Sequence, residues 1–143
     1  MLRIPPLVVV LVSLLLAGAP CATAQDSAAQ VSTSRLFSAT TTAAGQPIAL
    51  PKDNVEVLVW MYEIPVGARL PVHKHPFPRY AYVLAGSLRV ADADNTRNWD
   101  YKAGDFILEM IDAWHYGTNI GSEPVRLLVI DQVEAGKTNT LLR

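Results

Sequence analysis

His73, Lys74 and His75 set two imidazoles two residues apart in the chain. On a β-strand successive side chains alternate between faces, so His73 and His75 project together while Lys74 points away. Two adjacent imidazoles form a ready bidentate seat for a divalent metal, and imidazole suits zinc, iron, copper and nickel. His115 is the third and last histidine of the 143 residues, and Cys21 is the one cysteine. Taken alone, an H-x-H is also how a polar strand rim facing solvent looks. No nucleophile–base arrangement, phosphate-cradling glycine loop or paired-carboxylate signature accompanies it, so any catalysis is expected to run through a metal.

The frame around the histidines shifts the balance. Gly67, His73-x-His75, Arg79 and Gly86 keep the spacing of the first motif of the cupins, which this stretch resembles. Gly104, Met110-x-Asp112, His115 and Asn119 resemble the second. The resemblance covers roughly residues 45–132, and every histidine falls on a family ligand position. It implies an all-β fold, a double-stranded β-helix barrel of the jelly-roll type. It also implies one divalent metal (Fe, Zn, Cu, Mn or Ni) bound inside the barrel by His73, His75 and His115. The activity it suggests is that of a metal-dependent small-molecule enzyme, similar to the cupin dioxygenases that use three histidines. The competing expectation is a non-catalytic cupin that captures or senses a small ligand. Whether the chain is an enzyme is left open. Dimerisation through sheet edges is common in the family and would protect edge strands here.

Two departures bear on the chemistry. Where the family usually has a glutamate ligand, this chain has Arg79, always charged and never a ligand here. A cation aimed at the site weakens divalent binding by direct repulsion. Three arrangements stay open: Arg79 swung outward or held by a carboxylate beside a three-histidine metal, Arg79 gripping an anionic substrate with its guanidinium fork, or a metal-free pocket in which Arg79 binds an anion. A carboxylate from elsewhere is a further option. Glu109 and Asp112 lie near His115 in sequence, but strand alternation alone puts neither into the barrel. The second departure, Met110 and Asp112 in place of the usual proline and glycine, loosens a turn signal.

The elements that must position these residues read as short strands. Val55–Ile64 is β-branched and aromatic and stops at Pro65. Tyr80–Leu84 runs into the turn Ala85-Gly86-Ser87, and Leu88–Val90 returns towards Asp92–Asn95. Lys102–Asp105 is another turn, Phe106–Ile111 a strand, and Val125–Ile130 the last strong one. No stretch after residue 24 carries a long 3.6-residue apolar stripe. Tyr80 and Tyr82 fall on the face opposite Arg79, at the outer wall or a subunit contact. Trp114 and Tyr116 are expected to pack on strands, Asn119 to bond within its turn, and Pro76 and Pro78 to stiffen the hairpin beside the ligands.

Residues 1–24 read as a signal peptide. Leu7–Leu16 is apolar apart from Ser13, and Ala22-x-Ala24 matches a signal-peptidase site, with cleavage after Ala24. The run is about half of the roughly 20 residues that span a bilayer. A periplasmic or secreted protein without stable membrane insertion is expected. Loss of Cys21 with the leader leaves no thiol for a disulfide or a thiolate metal site. Residues 25–42, rich in Ala, Ser and Thr, read as a flexible lead-in, 43–133 as the barrel and 134–143 as a tail. The 11 Lys+Arg that remain face 13 Asp+Glu, with no basic run interleaved with aromatics, so nucleic acid is not an expected partner. The expected partner is a small molecule, anionic if Arg79 reads it.

Overall fold

The computed structural model describes residues 30–143; the expected leader, residues 1–24, lies outside the described residues. Nine strands form two antiparallel sheets, and there is no helix among the described residues. One sheet has the order β1 (Val55–Ile64), β8 (Val125–Glu134), β3 (Arg79–Ala85), β6 (Phe106–Leu108). The other has the order β5 (Asn98–Lys102), β4 (Ser87–Asp92), β7 (His115–Asn119), β2 (His73–Lys74), β9 (Leu141–Leu142). The all-β double-stranded architecture expected from the sequence is the one found.

Alternation decides what each sheet buries. Along β8, Val125, Leu127, Val129, Asp131 and Val133 are all buried, and each is separated by one more exposed residue. Along β3, Arg79, Ala81 and Val83 are buried in the same rhythm. These faces meet Leu88 and Val90 of β4, and with Ile64, Ile107 and Met110 they make one apolar core. A polar pair sits at one end of it, because Arg79 and Asp131 are register partners on β3 and β8.

The β3–β4 hairpin needs its glycine. Gly86 has φ +81°, and a Cβ there would meet Val125 Cα at 2.8 Å and the Pro124 carbonyl oxygen at 2.9 Å. Asn119 does more than orient its turn. Its Nδ2 donates to the carbonyls of Ile64 (3.0 Å) and Glu123 (2.8 Å), and its Oδ1 accepts from Gly121 N–H (2.9 Å).

Several boundaries differ from expectation. The strand read as Phe106–Ile111 ends at Leu108, where the chain turns inward; Glu109 N–H donates to Arg79 O (3.0 Å) and Ile111 bridges to His75. In the lead-in, the described residues are unpaired up to Thr41, yet Phe37 packs on Phe106 with ring centroids 5.2 Å apart. Gln46 then clamps Ile111, accepting from its N–H (3.0 Å) and donating to its carbonyl (2.6 Å). At the other end, β8 runs on to Glu134, and residues 134–143 return to pair β9 with β2. The stretch read as a tail therefore contributes a strand to the second sheet.

Candidate metal centre

His73 and His115 are direct cross-strand partners on β2 and β7, so their side chains leave the sheet on one face. His75 follows at period two and is fixed where Asp112 N–H donates to its carbonyl at 2.8 Å. The three rings gather with centroids 4.5 to 4.9 Å apart, and all three residues are buried.

Each ring is oriented by a backbone carbonyl. His73 Nδ1 lies 2.7 Å from Pro71 O, His75 Nδ1 2.5 Å from Asn139 O, and His115 Nδ1 2.8 Å from Ala113 O. A carbonyl oxygen only accepts, so Nδ1 must carry the hydrogen in all three rings. In the neutral rings the lone pair is then on Nε2, the atom that faces the cluster. Outer hydrogen bonds of this kind fix tautomer and ring direction in metal-binding histidines.

A fourth donor, left open in the sequence, completes the set. Glu109 Oε2 lies 2.9 Å from His115 Nε2 and 3.3 Å from His75 Nε2. Ligand atoms of His73, His75, Glu109 and His115 all lie within 4.8 Å of one another. Glu109 turns inward because it follows Ile107, a core residue, at period two. The signal was present, but Phe106-Ile107-Leu108 is apolar throughout, so alternation had no phase to read. Asp112, the other carboxylate considered, points away and pairs with Lys74 Nζ at 2.6 Å.

The electrostatics suit a cation. Burial lowers the His73 pKa to about 4, which keeps its ring neutral and its lone pair free near neutrality. Burial would raise the Glu109 carboxyl, but hydrogen bonds from His115 and His75 hold it well below its ordinary range. For His115 burial acts downward, and the hydrogen bond and charge of Glu109 outweigh it and carry the ring upward. Without a metal the Nε2–Glu109 bonds need a proton on Nε2. A divalent ion would take that proton's place, and three imidazole nitrogens with one carboxylate oxygen are a fitting donor set for a first-row ion.

Arg79 stands beside this cluster, buried, and held by a carboxylate. Its Nε donates to Asp131 Oδ1 (2.7 Å) and its Nη2 to Asp131 Oδ2 (2.8 Å). Asp131 also accepts from Asn139 Nδ2 (2.7 Å) and Trp60 Nε1 (3.0 Å). Burial alone would raise the Asp131 carboxyl; these bonds, led by that of Arg79, hold it below its usual range. The third guanidinium nitrogen, Nη1, is not spent on Asp131 and lies 3.5 Å from His75 Nε2.

The cluster opens on a cavity of about 130 Å³. Arg79, Glu109, His73 and His115 form its polar wall, while Leu70, Leu88, Val90, Leu127, Val129 and Leu142 form much of the apolar one. Trp114 and Tyr116 are not part of this wall. Lys74 Nζ lies 5.0 Å from the Trp114 ring centre, and the Arg69 guanidinium carbon 3.4 Å from that of Tyr116.

A family model described as a cupin domain matches residues 60–131. No curated protein matches the chain. Among solved structures, oxalate decarboxylase from Lactobacillus farciminis, a formate complex, is 27% identical with a TM-score of 0.52. The match covers 60% of this chain and 26% of that one. A mutant of Bacillus subtilis oxalate decarboxylase is 26% identical at a TM-score of 0.51, over 60% of this chain and 23% of its own. This chain thus spans about a quarter of the decarboxylases it resembles. The polyketide cyclase RemF from Streptomyces resistomycificus shares the fold at 21% identity and a TM-score of 0.51, over 61% of each chain.

Proposed function

The chain belongs to the cupin family, and from that premise we propose that it is an exported metal-dependent enzyme acting on a small anion. His73, His75, Glu109 and His115 hold one divalent ion, where the sequence alone pointed to three histidines. The observation that carries this reading is the common orientation of the rings: three carbonyls claim three Nδ1–H groups, and the Nε2 atoms of His75 and His115 meet Glu109. When bound, the metal supplies Lewis acidity and, for a redox-active ion, access to O₂ in a dioxygenase-like reaction.

The remaining residues define the substrate. Glu109 and Asp131 are negative and Arg79 positive, so with neutral histidines the centre is one charge positive once a divalent ion is seated. That favours a monoanion. Arg79 Nη1 is the donor left to meet it, while Asp131 keeps the guanidinium from swinging onto the ligands. The apolar wall suits a small organic body beside the charged group, so we take the substrate to be a small carboxylate or phenolate. The resemblance to an oxalate decarboxylase complexed with formate supports a small carboxylate.

The test is a screen of the metal-loaded protein against short carboxylates, keto acids and phenols, followed by O₂ uptake and product analysis. Turnover that is lost in Glu109→Gln supports the reading. Tight binding of one of these anions that a chelator leaves unchanged, without turnover, contradicts it and leaves an anion-capturing cupin. Export to the periplasm or beyond belongs to the same proposal and rests on residues 1–24. A homodimer also belongs to it. β1 is an edge strand of its sheet, and its outer face exposes Val57, Val59 and Met61.

A further inference from the structure

Residues 139–143, within the stretch 134–143 expected as a C-terminal tail, are wired into the metal centre. Asn139 is buried, and each of its polar atoms but its amide N–H is spent on the site. Its carbonyl accepts from His75 Nδ1, its Nδ2 donates to Asp131 Oδ1 at 2.7 Å, and its Oδ1 accepts from Phe77 N–H at 2.8 Å. One residue thus joins a metal ligand, the loop between that ligand and Arg79, and the carboxylate that restrains Arg79. Beyond it, Leu142 pairs with His73 in the ladder, and Arg143 N–H donates to Val72 O at 3.0 Å. Thr140 and Leu142 line the cavity. Arg143 Nη1 closes the segment on Asp94 Oδ1 at 2.6 Å.

We propose that this segment is a strap whose ordering and metal loading are coupled, with Asn139 as the positioning residue for His75. The inference rests on the metal reading above. Its physical basis is that the strap puts no side chain into the apolar core and is held by the polar and ladder contacts above. β9 has two residues, both exposed, and a two-residue pairing is marginal by itself. The strap is therefore drawn from the low-stability end of the molecule. The His75 bond is part of what keeps it down, and a metal on Nε2 makes Nδ1–H a stronger donor to Asn139 O. By linkage, whatever the strap adds to metal affinity the metal returns as strap order.

Cobalt(II) binding to the full chain, read by its visible absorption, tests this. Removal of an outer partner of a metal ligand costs about 10- to 100-fold in affinity. Asn139→Ala keeps the carbonyl that His75 donates to and removes only the two side-chain bonds that hold it in place, so a smaller loss of affinity is expected, with a shift of the cobalt band. Val125→Ala, a core truncation at the far end of β8, should change neither, which separates positioning from destabilisation. Hydrogen exchange on the unmodified protein gives a readout that needs no variant: cobalt should slow the amides of residues 139–143 by tenfold or more. Unchanged affinity and band in Asn139→Ala, or unchanged exchange in 139–143, overturns the strap. A wild-type chain that binds no cobalt overturns the metal centre itself, and the strap with it.

Discussion

At the scale of residues, the Arg79–Asp131 pair is where the largest single loss is expected. Both side chains are buried, and removing one partner of such a pair strands a charge at a cost of about 3–5 kcal/mol. Asp131→Ala should therefore lower the denaturant midpoint sharply without changing the metal ligands. The pair also sets an acid limit. A carboxyl held below its unfolded value of about 3.9 contributes stability that is complete above that pH. The contribution is lost as pH falls through the folded-state value, so the same variant should flatten the acid limb of a pH–stability curve. The three histidines were legible in sequence because period two and the motif spacing agree. The Arg79 contact was legible only as an open choice, since its partner lies 52 residues away on β8. Glu109 stayed an open choice because the unbroken apolar run before it gives alternation no phase.

At the scale of elements, turns and long strands were readable and short strands were not. Val55–Ile64 begins and ends where its β-branched run meets Pro65. β2 and β9 have two residues each, too few to show a period, and depend on their neighbours in the sheet. Gly86 gives a test at this level. Gly86→Ala combines left-handed strain of about 1–3 kcal/mol with a backbone clash against Val125 and Pro124. It should destabilise the protein in thermal melts more than Gly104→Ala, where φ is also positive but a Cβ meets nothing within 4 Å. Gln46→Ala should release Ile111 and loosen the turn that carries Glu109, lowering metal affinity more than stability.

At the scale of the whole molecule, two packed sheets enclose a core that turns polar at one end, where the donor set and the cavity meet. The outer face of β1 is apolar where a solitary barrel would be expected to be polar. If a second copy covers it, Val59→Lys should shift the sedimenting species from dimer to monomer and leave metal content unchanged. A wild-type monomer would contradict that assignment alone.

The proposed metal centre has four side-chain ligands, not three. Its most direct test is metal stoichiometry by elemental analysis of protein purified without a metal-affinity tag, compared among wild type, His75→Ala and Glu109→Gln. Near one equivalent in wild type is expected, none retained in His75→Ala, and a clear loss in Glu109→Gln, whose shape is kept while its charge is gone. Full occupancy in Glu109→Gln would contradict the four-ligand centre, and no metal in any of the three would contradict the metal centre altogether.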